Sequence, residues 1–314
     1  MTLQLTKLGP LAVSRLGFGT LSLSPLQSSL AVDQGAELLC YAWHKGINFW
    51  DTAQIYENYP VLRAAIRRLP AQPVIASKTY AYTAEAAETA VNEARRELGV
   101  DVLDMMMLHE QTALTLPGHQ EALDWLANAR ERGVIRAVGV STHSVACVLA
   151  ATEFPEIDVI HPLYNVQGVG IHDGSPADMA AAITAAKARG KGIYAMKVLG
   201  GGTLYRRARE AIGHVLSQPW LGSAVIGMAT TAEIDYNVAL FEGLDPDADT
   251  VRQVRGRRRS LHRADWCEGC GKCVQACGQG ALVLEDGKVR VREELCVLCG
   301  YCSRQCELMC LKII

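Results

Sequence analysis

The chain has 314 residues, 49% of them hydrophobic and 20% charged, and its formal net charge is −2. This composition excludes an intrinsically disordered chain and argues against a general binder of nucleic acid or anionic membranes. Nine of its 11 cysteines lie between Cys267 and Cys310, which excludes a single uniform domain and a disulfide framework spanning the whole chain.

The N-terminal segment does not have the pattern of a signal peptide, because Lys7 and Arg15 interrupt it and no small-residue cleavage site follows. No uncharged apolar run approaches the about 18 residues of a membrane span. We therefore expect no membrane span and a cytoplasmic location. Clustered cysteines in that compartment bind metal more often than they form disulfides.

Short apolar runs typical of strands alternate with amphipathic segments typical of helices through residues 1–242. This alternation predicts parallel strands joined by helical crossovers. Eight strands in about 230 residues fit a (β/α)8 barrel. An open doubly wound sheet is the alternative, but the early turn at 16–20 lacks the third glycine of a dinucleotide-binding motif. The predicted strands are 16–19, 47–50, 73–76, 103–108, 135–140, 159–163, 192–196 and 224–227, and the clearest helices are 84–98, 120–132, 177–189 and 231–241.

Residues 243–263 differ from the barrel because they are acidic at first and then rich in arginine. Such a charge run is usually a solvated linker or helix face. The alternative is a docking strip for an acidic partner or a nucleotide phosphate. We expect a linker at 243–263 and a separate cysteine-rich domain at 264–314.

This last segment contains two copies of a C-x2-C-x2-C-x3-C motif, 29 residues apart. Four cysteines packed so closely are poorly placed to surround one zinc ion, which usually takes two separated pairs. A [4Fe–4S] cluster takes three thiolates from one run, and in two-cluster proteins the fourth cysteine of each run binds the other cluster. We therefore predict one cluster on Cys267, Cys270, Cys273 and Cys306, and a second on Cys296, Cys299, Cys302 and Cys277.

The cysteine-rich domain resembles bacterial two-[4Fe–4S] ferredoxins over about 50 residues. Alternating residues around Asp286-Gly287 predict a hairpin between the two runs. The proline that usually follows the fourth cysteine is replaced by Gly278 and Glu307. Cys310 is surplus to the eight ligands and is expected to be structural. The resemblance implies a small α+β domain that follows the α/β barrel.

Four polar residues stand at or just after the ends of predicted barrel strands: Asp51, Tyr56, Lys78 and His109. Singly, each has an ordinary structural explanation, such as a helix cap, a surface lysine or a core histidine. Together they suggest a site, since (β/α)8 barrels carry their chemistry at this edge and a buried lysine requires a counter-charge. A nearby lysine is also expected to lower the pKa of Tyr56 and make it a proton donor near neutral pH.

Over nearly its whole length the chain resembles the aldo-keto reductases, in the branch that carries a C-terminal ferredoxin domain. The resemblance rests on the segments 8–20, 46–53, 98–109, 139–141 and 164–165. It implies that Tyr56 is the general acid toward a carbonyl oxygen, that Lys78 paired with Asp51 tunes Tyr56, and that His109 orients the carbonyl. Hydride would come from a nicotinamide cofactor.

The resemblance also implies the residues around that cofactor, with departures from the family pattern. Thr142 replaces an asparagine that holds the carboxamide, Met196 replaces the stacking aromatic ring, and Glu233 replaces an arginine that binds the 2′-phosphate of NADPH. A carboxylate there favours NADH over NADPH, unless residues such as the arginine strip bind the phosphate instead. The implied cofactor contacts are Gly19, Thr20, Ser141, His161, Met196, Lys197, Leu199, Gly227 and Asn237.

The leading hypothesis is an oxidoreductase that reduces or oxidises a small carbonyl or alcohol substrate and exchanges electrons with a redox protein partner through two clusters. One alternative is substrate reduction driven by the clusters, without nicotinamide. A second alternative is a non-enzymatic, redox-sensing regulatory subunit. No nucleic-acid partner is expected.

Overall fold

The computed structural model describes residues 3–28 and 30–314. Eight parallel strands, each beside its neighbour, close into a barrel in the order β10-β3-β4-β5-β6-β7-β8-β9. A hairpin of β1 (Leu5–Leu8) and β2 (Leu11–Ser14) precedes them. The barrel strands are β3 (Leu16–Gly19), β4 (Phe49–Asp51), β5 (Val74–Thr79), β6 (Leu103–Leu108), β7 (Ile135–Thr142), β8 (Val159–Pro162), β9 (Gly192–Ala195) and β10 (Ser223–Ile226).

The closed sheet confirms the predicted (β/α)8 barrel and excludes the open doubly wound alternative. Each of the eight predicted strands overlaps an observed one. Helices cover the outside of the barrel, and a further helix, α9, follows it. They are α1 (Val32–His44), α2 (Tyr59–Ile66), α3 (Ala84–Leu98), α4 (Gln120–Glu131), α5 (Val145–Ala151), α6 (Pro176–Ala188), α7 (Ala208–Leu216), α8 (Thr231–Phe241) and α9 (Ala248–Gly256).

Local sequence signals explain where these helices begin and end. The Thr83 hydroxyl accepts a hydrogen bond from the amide of Ala86 and caps the start of α3, while Gly99 ends it with φ +72°. Ser175 and Asp178 form a capping box at the start of α6. Buried alanines along α3 allow the helix to lie close to the barrel wall.

The barrel interior is a separate apolar cluster, filled by large side chains such as Phe49, Met105, Met107 and Tyr194. Leu8 and Leu11 of the N-terminal hairpin close its lower end. The polar site therefore lies at the opposite end, where β-strands present their carboxyl termini.

The C-terminal domain contains two small antiparallel sheets and two single-turn helices. Its elements are β11 (Leu261–Arg263), α10 (Lys272–Gln275), β12 (Leu282–Glu285), β13 (Lys288–Val291), α11 (Tyr301–Arg304) and β14 (Leu311–Ile313). The predicted hairpin around Asp286-Gly287 is the β12–β13 pair. β11 lies within the predicted linker, yet it pairs with β14, so the domain takes its first strand from the end of that segment.

This domain sits on the carboxyl-terminal end of the barrel. The amide of Ile313 donates to the carbonyl of Gly201 at 3.0 Å, and His172 Nε2 lies 3.2 Å from the carbonyl oxygen of Glu307. Met309 packs into the apolar cluster of the barrel interior. These contacts show which face of the barrel the domain uses. No described helix is long and apolar enough to cross a membrane.

Gly202 provides a test of this docking, because a Cβ added there would overlap the carbonyl oxygen of Ile313. We expect Gly202→Val to loosen the C-terminal domain and accelerate proteolysis of residues 243–260. The matched control is Gly190→Val, because Gly190 has a similar φ of +83° and no atom lies within 4 Å of a Cβ placed there. A Gly202→Val cleavage rate equal to that of the parent would contradict the docked arrangement.

Candidate active site and cluster-binding domain

The four predicted polar residues meet at the carboxyl ends of neighbouring strands. Asp51 ends β4, Lys78 is the penultimate residue of β5, and His109 follows β6. Tyr56 lies at the end of a short 3-10 helix that spans Gln54–Tyr56. The parallel pairing of β4, β5 and β6 places the first three side chains side by side.

Asp51 and Lys78 form a buried ion pair. Lys78 Nζ donates to Asp51 Oδ1 and to the carbonyl of Thr52, each at 2.7 Å, and both side chains are at most 6% exposed. The second carboxylate oxygen of Asp51 accepts a hydrogen bond from the Tyr194 hydroxyl at 2.9 Å. Burial lowers the pKa of Lys78, and the Asp51 carboxylate opposes that shift. The pair thus fixes one charge of each sign beneath the site.

Tyr56 lies against this pair, with Lys78 Nζ 5.1 Å from its ring centroid. The predicted lowering of its pKa is wrong. Burial raises the pKa of Tyr56 well above its usual value, and the charges of Asp51 and Glu110 raise it further. The physical reason is that Asp51 compensates the Lys78 ammonium, so the tyrosine meets a neutral pair and a desolvated environment. Tyr56 is therefore a protonated donor at neutral pH.

His109 is buried and neutral. Its ring stacks on Tyr80 with centroids 4.8 Å apart and meets Tyr56 edge-on at 5.9 Å. Burial lowers the pKa of His109 to about 3, and the charge of Lys78 contributes. Its Nδ1 atom is buried without a hydrogen-bond partner among the described residues. A neutral imidazole beside the tyrosine can orient a polar group without carrying charge.

The residues that the resemblance implies for cofactor binding lie around the carboxyl-terminal end of the barrel, and each has a different local environment. Gly19 approaches Gly227 closely, and the Thr20 hydroxyl donates to the Asp51 carbonyl at 2.9 Å. The Ser141 hydroxyl accepts from the Glu110 amide at 2.8 Å. Leu199 packs against the helix layer, and Asn237 is buried on α8.

Three of these residues point into the barrel mouth. His161 stacks on Tyr194 at 3.7 Å, and its Nε2 lies 3.6 Å from Asp51 Oδ2. Met196 belongs to the interior cluster that contains Met309. Lys197 has φ +55°, and its Nζ lies 2.9 Å from His143 Nε2. The C-terminal domain therefore touches the region where the resemblance places the nicotinamide.

The predicted repulsion between Glu233 and a nucleotide phosphate is not supported. Glu233 Oε1 lies 2.6 Å from Arg257 Nη1 and 3.2 Å from Arg259 Nη2, both from the arginine-rich segment. Arg259 also lies over the Tyr205 ring, 4.7 Å from its centroid. Two guanidinium groups compensate the carboxylate, so the electrostatic argument for NADH over NADPH no longer holds.

One predicted set of cluster ligands lines a single pocket of the C-terminal domain. Its walls include Cys277, Cys296, Cys299 and Cys302, with apolar side chains such as Leu261 and Leu282 around them. The cavity takes three cysteines from the second run and the fourth from the first, as the exchanged ligand pattern requires. Four thiols in an otherwise apolar wall fit an iron–sulfur cluster.

The other predicted set is also close together. Burial raises the pKa of Cys273, and the nearness of Cys306, Cys267 and Cys270 raises it further. The two fourth cysteines have the same environment, because Cys277 Sγ accepts from the Ala281 amide at 3.3 Å and Cys306 Sγ from the Cys310 amide at 3.2 Å. Cys310 thus occupies the place of Ala281 in the repeat, which explains why it is surplus to the ligands.

Sequence reasoning missed several residues of the site. Tyr194 holds Asp51 from inside the barrel, and Tyr80 donates to Glu110 at 2.6 Å. Neither carries a recognisable motif. Lys312 was also missed, although a single lysine within the apolar ending Leu311–Ile313 was a signal that its side chain needed a separate explanation.

Comparisons with known proteins agree with this architecture. The aldo/keto reductase family model matches residues 15–215, and a 4Fe-4S binding domain model matches residues 262–283. L-galactose dehydrogenase of Arabidopsis thaliana is 21% identical over 317 residues, covering 82% of this chain and 95% of that protein. Chloroplastic pyridoxal reductase of the same plant is 32% identical over 163 residues, or 45% of this chain and 44% of that protein.

Solved structures show the same fold. A Pseudomonas aeruginosa protein assigned to the aldo-keto reductases has a TM-score of 0.66 and 26% identity, covering 77% of this chain and 96% of that one. An aldo/keto reductase of Klebsiella pneumoniae in complex with NADP and acetate has a TM-score of 0.62 and 20% identity, covering 81% and 94%.

Barrel, site and comparisons together define an oxidoreductase with a 4Fe-4S binding domain at its C-terminal end. The family model covers more than half of the sequence, and the chain belongs to the aldo/keto reductase family. Membership of this family supports an enzyme over the non-enzymatic regulatory alternative.

The Asp51–Lys78 pair yields a prediction for stability. Asp51→Asn and Lys78→Met should each cost about 3–5 kcal/mol of unfolding free energy, because each leaves an uncompensated buried charge. The double variant should lose much less than the sum of the two. Denaturant unfolding of all four proteins measures this coupling, and strictly additive losses would show that the two charges do not stabilise each other.

Proposed function

We propose that this protein interconverts a small carbonyl compound and its alcohol at Asp51, Tyr56, Lys78 and His109. The observation that carries the proposal is the assembly of a neutral tyrosine and a neutral histidine above a buried Lys–Asp pair. We also propose the domain division 1–242, 243–263 and 264–314, in which β11 at the end of the linker pairs into the sheet of the last domain. A reducing compartment such as the cytoplasm suits the free thiols of the last domain.

Each residue has a distinct part in reduction, which requires two electrons and two protons in all. Tyr56 donates a proton to the carbonyl oxygen as it becomes an alcohol. Lys78, held by Asp51, fixes the position of the Tyr56 ring against which it lies, and solvent reprotonates the tyrosinate that remains. His109 orients the carbonyl oxygen toward Tyr56. Oxidation of the alcohol reverses these steps, with Tyr56 accepting the proton.

Two kinds of cofactor are proposed beside these residues. A bound nicotinamide dinucleotide would supply a hydride, which carries both electrons and one of the two protons of the reduction, and two [4Fe–4S] clusters would exchange single electrons with a redox protein partner. Cys267, Cys270, Cys273 and Cys306 would hold one cluster, and Cys296, Cys299, Cys302 and Cys277 the other. Ser141, Lys197 and Asn237 would contact the dinucleotide.

The role of Tyr56 is tested by Tyr56→Phe, which removes the proton donor and keeps the ring. Carbonyl reduction across an aldehyde panel should fall by about 10²–10⁴-fold, the usual contribution of a positioned acid. Tyr82→Phe is the matched control, because Tyr82 is 62% exposed and lies beside His119. It is not part of the tetrad formed by Asp51, Tyr56, Lys78 and His109. Activity of Tyr56→Phe within twofold of the parent would refute the assignment.

A second candidate is reduction driven by the clusters without nicotinamide. Met309 belongs to the same apolar cluster as Met196, and Met309 and Lys312 lie beside Gly201, so the C-terminal domain occupies part of the region expected for the dinucleotide. Glu233, Arg257 and Arg259 also bind one another near the expected phosphate position. In this case Tyr56 and solvent supply the two protons.

Anaerobic titration of the holoprotein with NADPH and with NADH distinguishes the two candidates. The first predicts nucleotide binding and bleaching of the visible cluster absorbance; the second predicts neither, while dithionite bleaches the clusters in both cases.

Because Arg257 and Arg259 compensate the charge of Glu233, the dissociation constants of NADPH and NADH should lie within about tenfold of each other, or about 1.4 kcal/mol. Binding of NADH alone would contradict that charge balance.

A further inference from the structure

The last strand of the chain places a lysine against the active-site end of the barrel. In β14, Leu311 and Ile313 enter the apolar core of the C-terminal domain. Lys312 alternates to the opposite face, where its stem lies near Gly201 of the barrel. Its side chain is buried, with the residue 5% exposed, and its Nζ stands 4.6 Å from the centroid of the Trp266 ring. Among the described residues, it has neither a salt-bridge nor a hydrogen-bond partner for that ammonium group.

A second ammonium group faces the same region from the barrel. Lys197 follows β9, and its Nζ contacts His143, which burial keeps neutral by lowering its pKa well below the usual value. Burial lowers the pKa of Lys197 to about 7, and the charge of Lys312 lowers it further, whereas Glu110 raises it. The two lysines belong to different domains, yet they lie close together, because the stem of Lys312 lies against Gly201, four residues after Lys197.

The charges in this region do not balance. Lys78 is paired with Asp51, so its charge is compensated. Among the described residues, Glu110 is the carboxylate that acts on both Lys197 and Lys312, and it already accepts a hydrogen bond from Tyr80. Lys197 and Lys312 thus share one carboxylate, and a further anion would stabilise the protonated form of both.

We propose that Lys197 and Lys312 together bind one anionic group, a carboxylate or a phosphate, of the small molecule that reacts at the tetrad. The claim that the bound molecule reacts at Asp51, Tyr56, Lys78 and His109 rests on the proposed function, whereas the claim that an anion binds to the two lysines does not. The site is completed only when the C-terminal domain is docked, so that domain contributes to ligand recognition as well as to electron transfer.

Lys312 has one competing role. It lies within electrostatic range of Cys306, a proposed cluster ligand, and could serve only to compensate the charge of that cluster. Replacing Lys312 by a neutral residue distinguishes the two roles. Loss of an anion site weakens binding of charged ligands, whereas loss of a cluster counter-charge shifts the midpoint potential and leaves binding unchanged.

The test is anaerobic calorimetry on the full-length holoprotein with three probes. They are 4-carboxybenzaldehyde, its neutral methyl ester, and inorganic pyrophosphate as a mimic of the dinucleotide. The proteins are the parent, Lys312→Gln, Lys312→Arg, Lys197→Gln and the control Lys272→Gln, whose lysine is exposed and paired with Glu307 in the same domain. Visible cluster absorbance verifies that each variant is folded and loaded.

We expect the carboxylate probe or pyrophosphate to bind at least about tenfold more tightly than the ester. Lys312→Gln and Lys197→Gln should each remove most of this advantage, Lys312→Arg should restore it, and Lys272→Gln should leave it unchanged. Whichever charged probe shows this dependence identifies the source of the anion, a substrate or a dinucleotide. Equal binding by the parent and Lys312→Gln, with or without a shift in cluster potential, or no binding of either anion, would overturn the proposal.

If Tyr56→Phe binds the anion normally, the anion site stands whatever the outcome for catalysis. Conversely, turnover that depends on Tyr56 but not on Lys312 would retain the proposed function and remove this inference. The two claims therefore fail separately.

Discussion

The contact between the C-terminal strand, β14, and the carboxyl-terminal end of the barrel is the constraint on which the rest of the structure depends. The amide of Ile313 is bonded to Gly201, and Met309 enters the interior cluster of the barrel. This contact positions Cys306 and Lys312 near the polar end of the barrel. Electron transfer requires a short distance between donor and acceptor. The same contact determines which part of the C-terminal domain faces Asp51, Tyr56, Lys78 and His109.

A buried ion pair organises the barrel side. Asp51 binds Lys78 with one carboxylate oxygen and Tyr194 with the other, so the lower wall of the site is fixed from two directions. Because this pair is nearly neutral as a unit, the groups above it respond mainly to burial. Tyr56 remains protonated and His109 remains uncharged for that reason. In the proposed reaction, proton donation therefore depends on the position of Tyr56.

The sequence was sufficient for the parts of the molecule that local patterns determine. Alternating strands and helices predicted the barrel, which the closed sheet confirms. The two ligand sets drawn from the repeated cysteine spacing stay a prediction. Long-range pairing was not predictable in the same way. Glu233 meets Arg257 only because the linker folds back onto α8, and Lys312 meets the barrel only after docking. The direction of the Tyr56 pKa shift was missed because it depends on the summed effect of burial and both members of the ion pair.

The most direct test is an anaerobic crystal structure of the holoprotein with iron anomalous scattering. The account predicts two compact groups of iron, one bounded by Cys267, Cys270, Cys273 and Cys306, the other by Cys296, Cys299, Cys302 and Cys277. It also predicts that the C-terminal domain covers the barrel mouth, with Lys312 beside Lys197 and Glu110. Single metal ions at the cysteines, or a C-terminal domain placed away from the mouth, would contradict it.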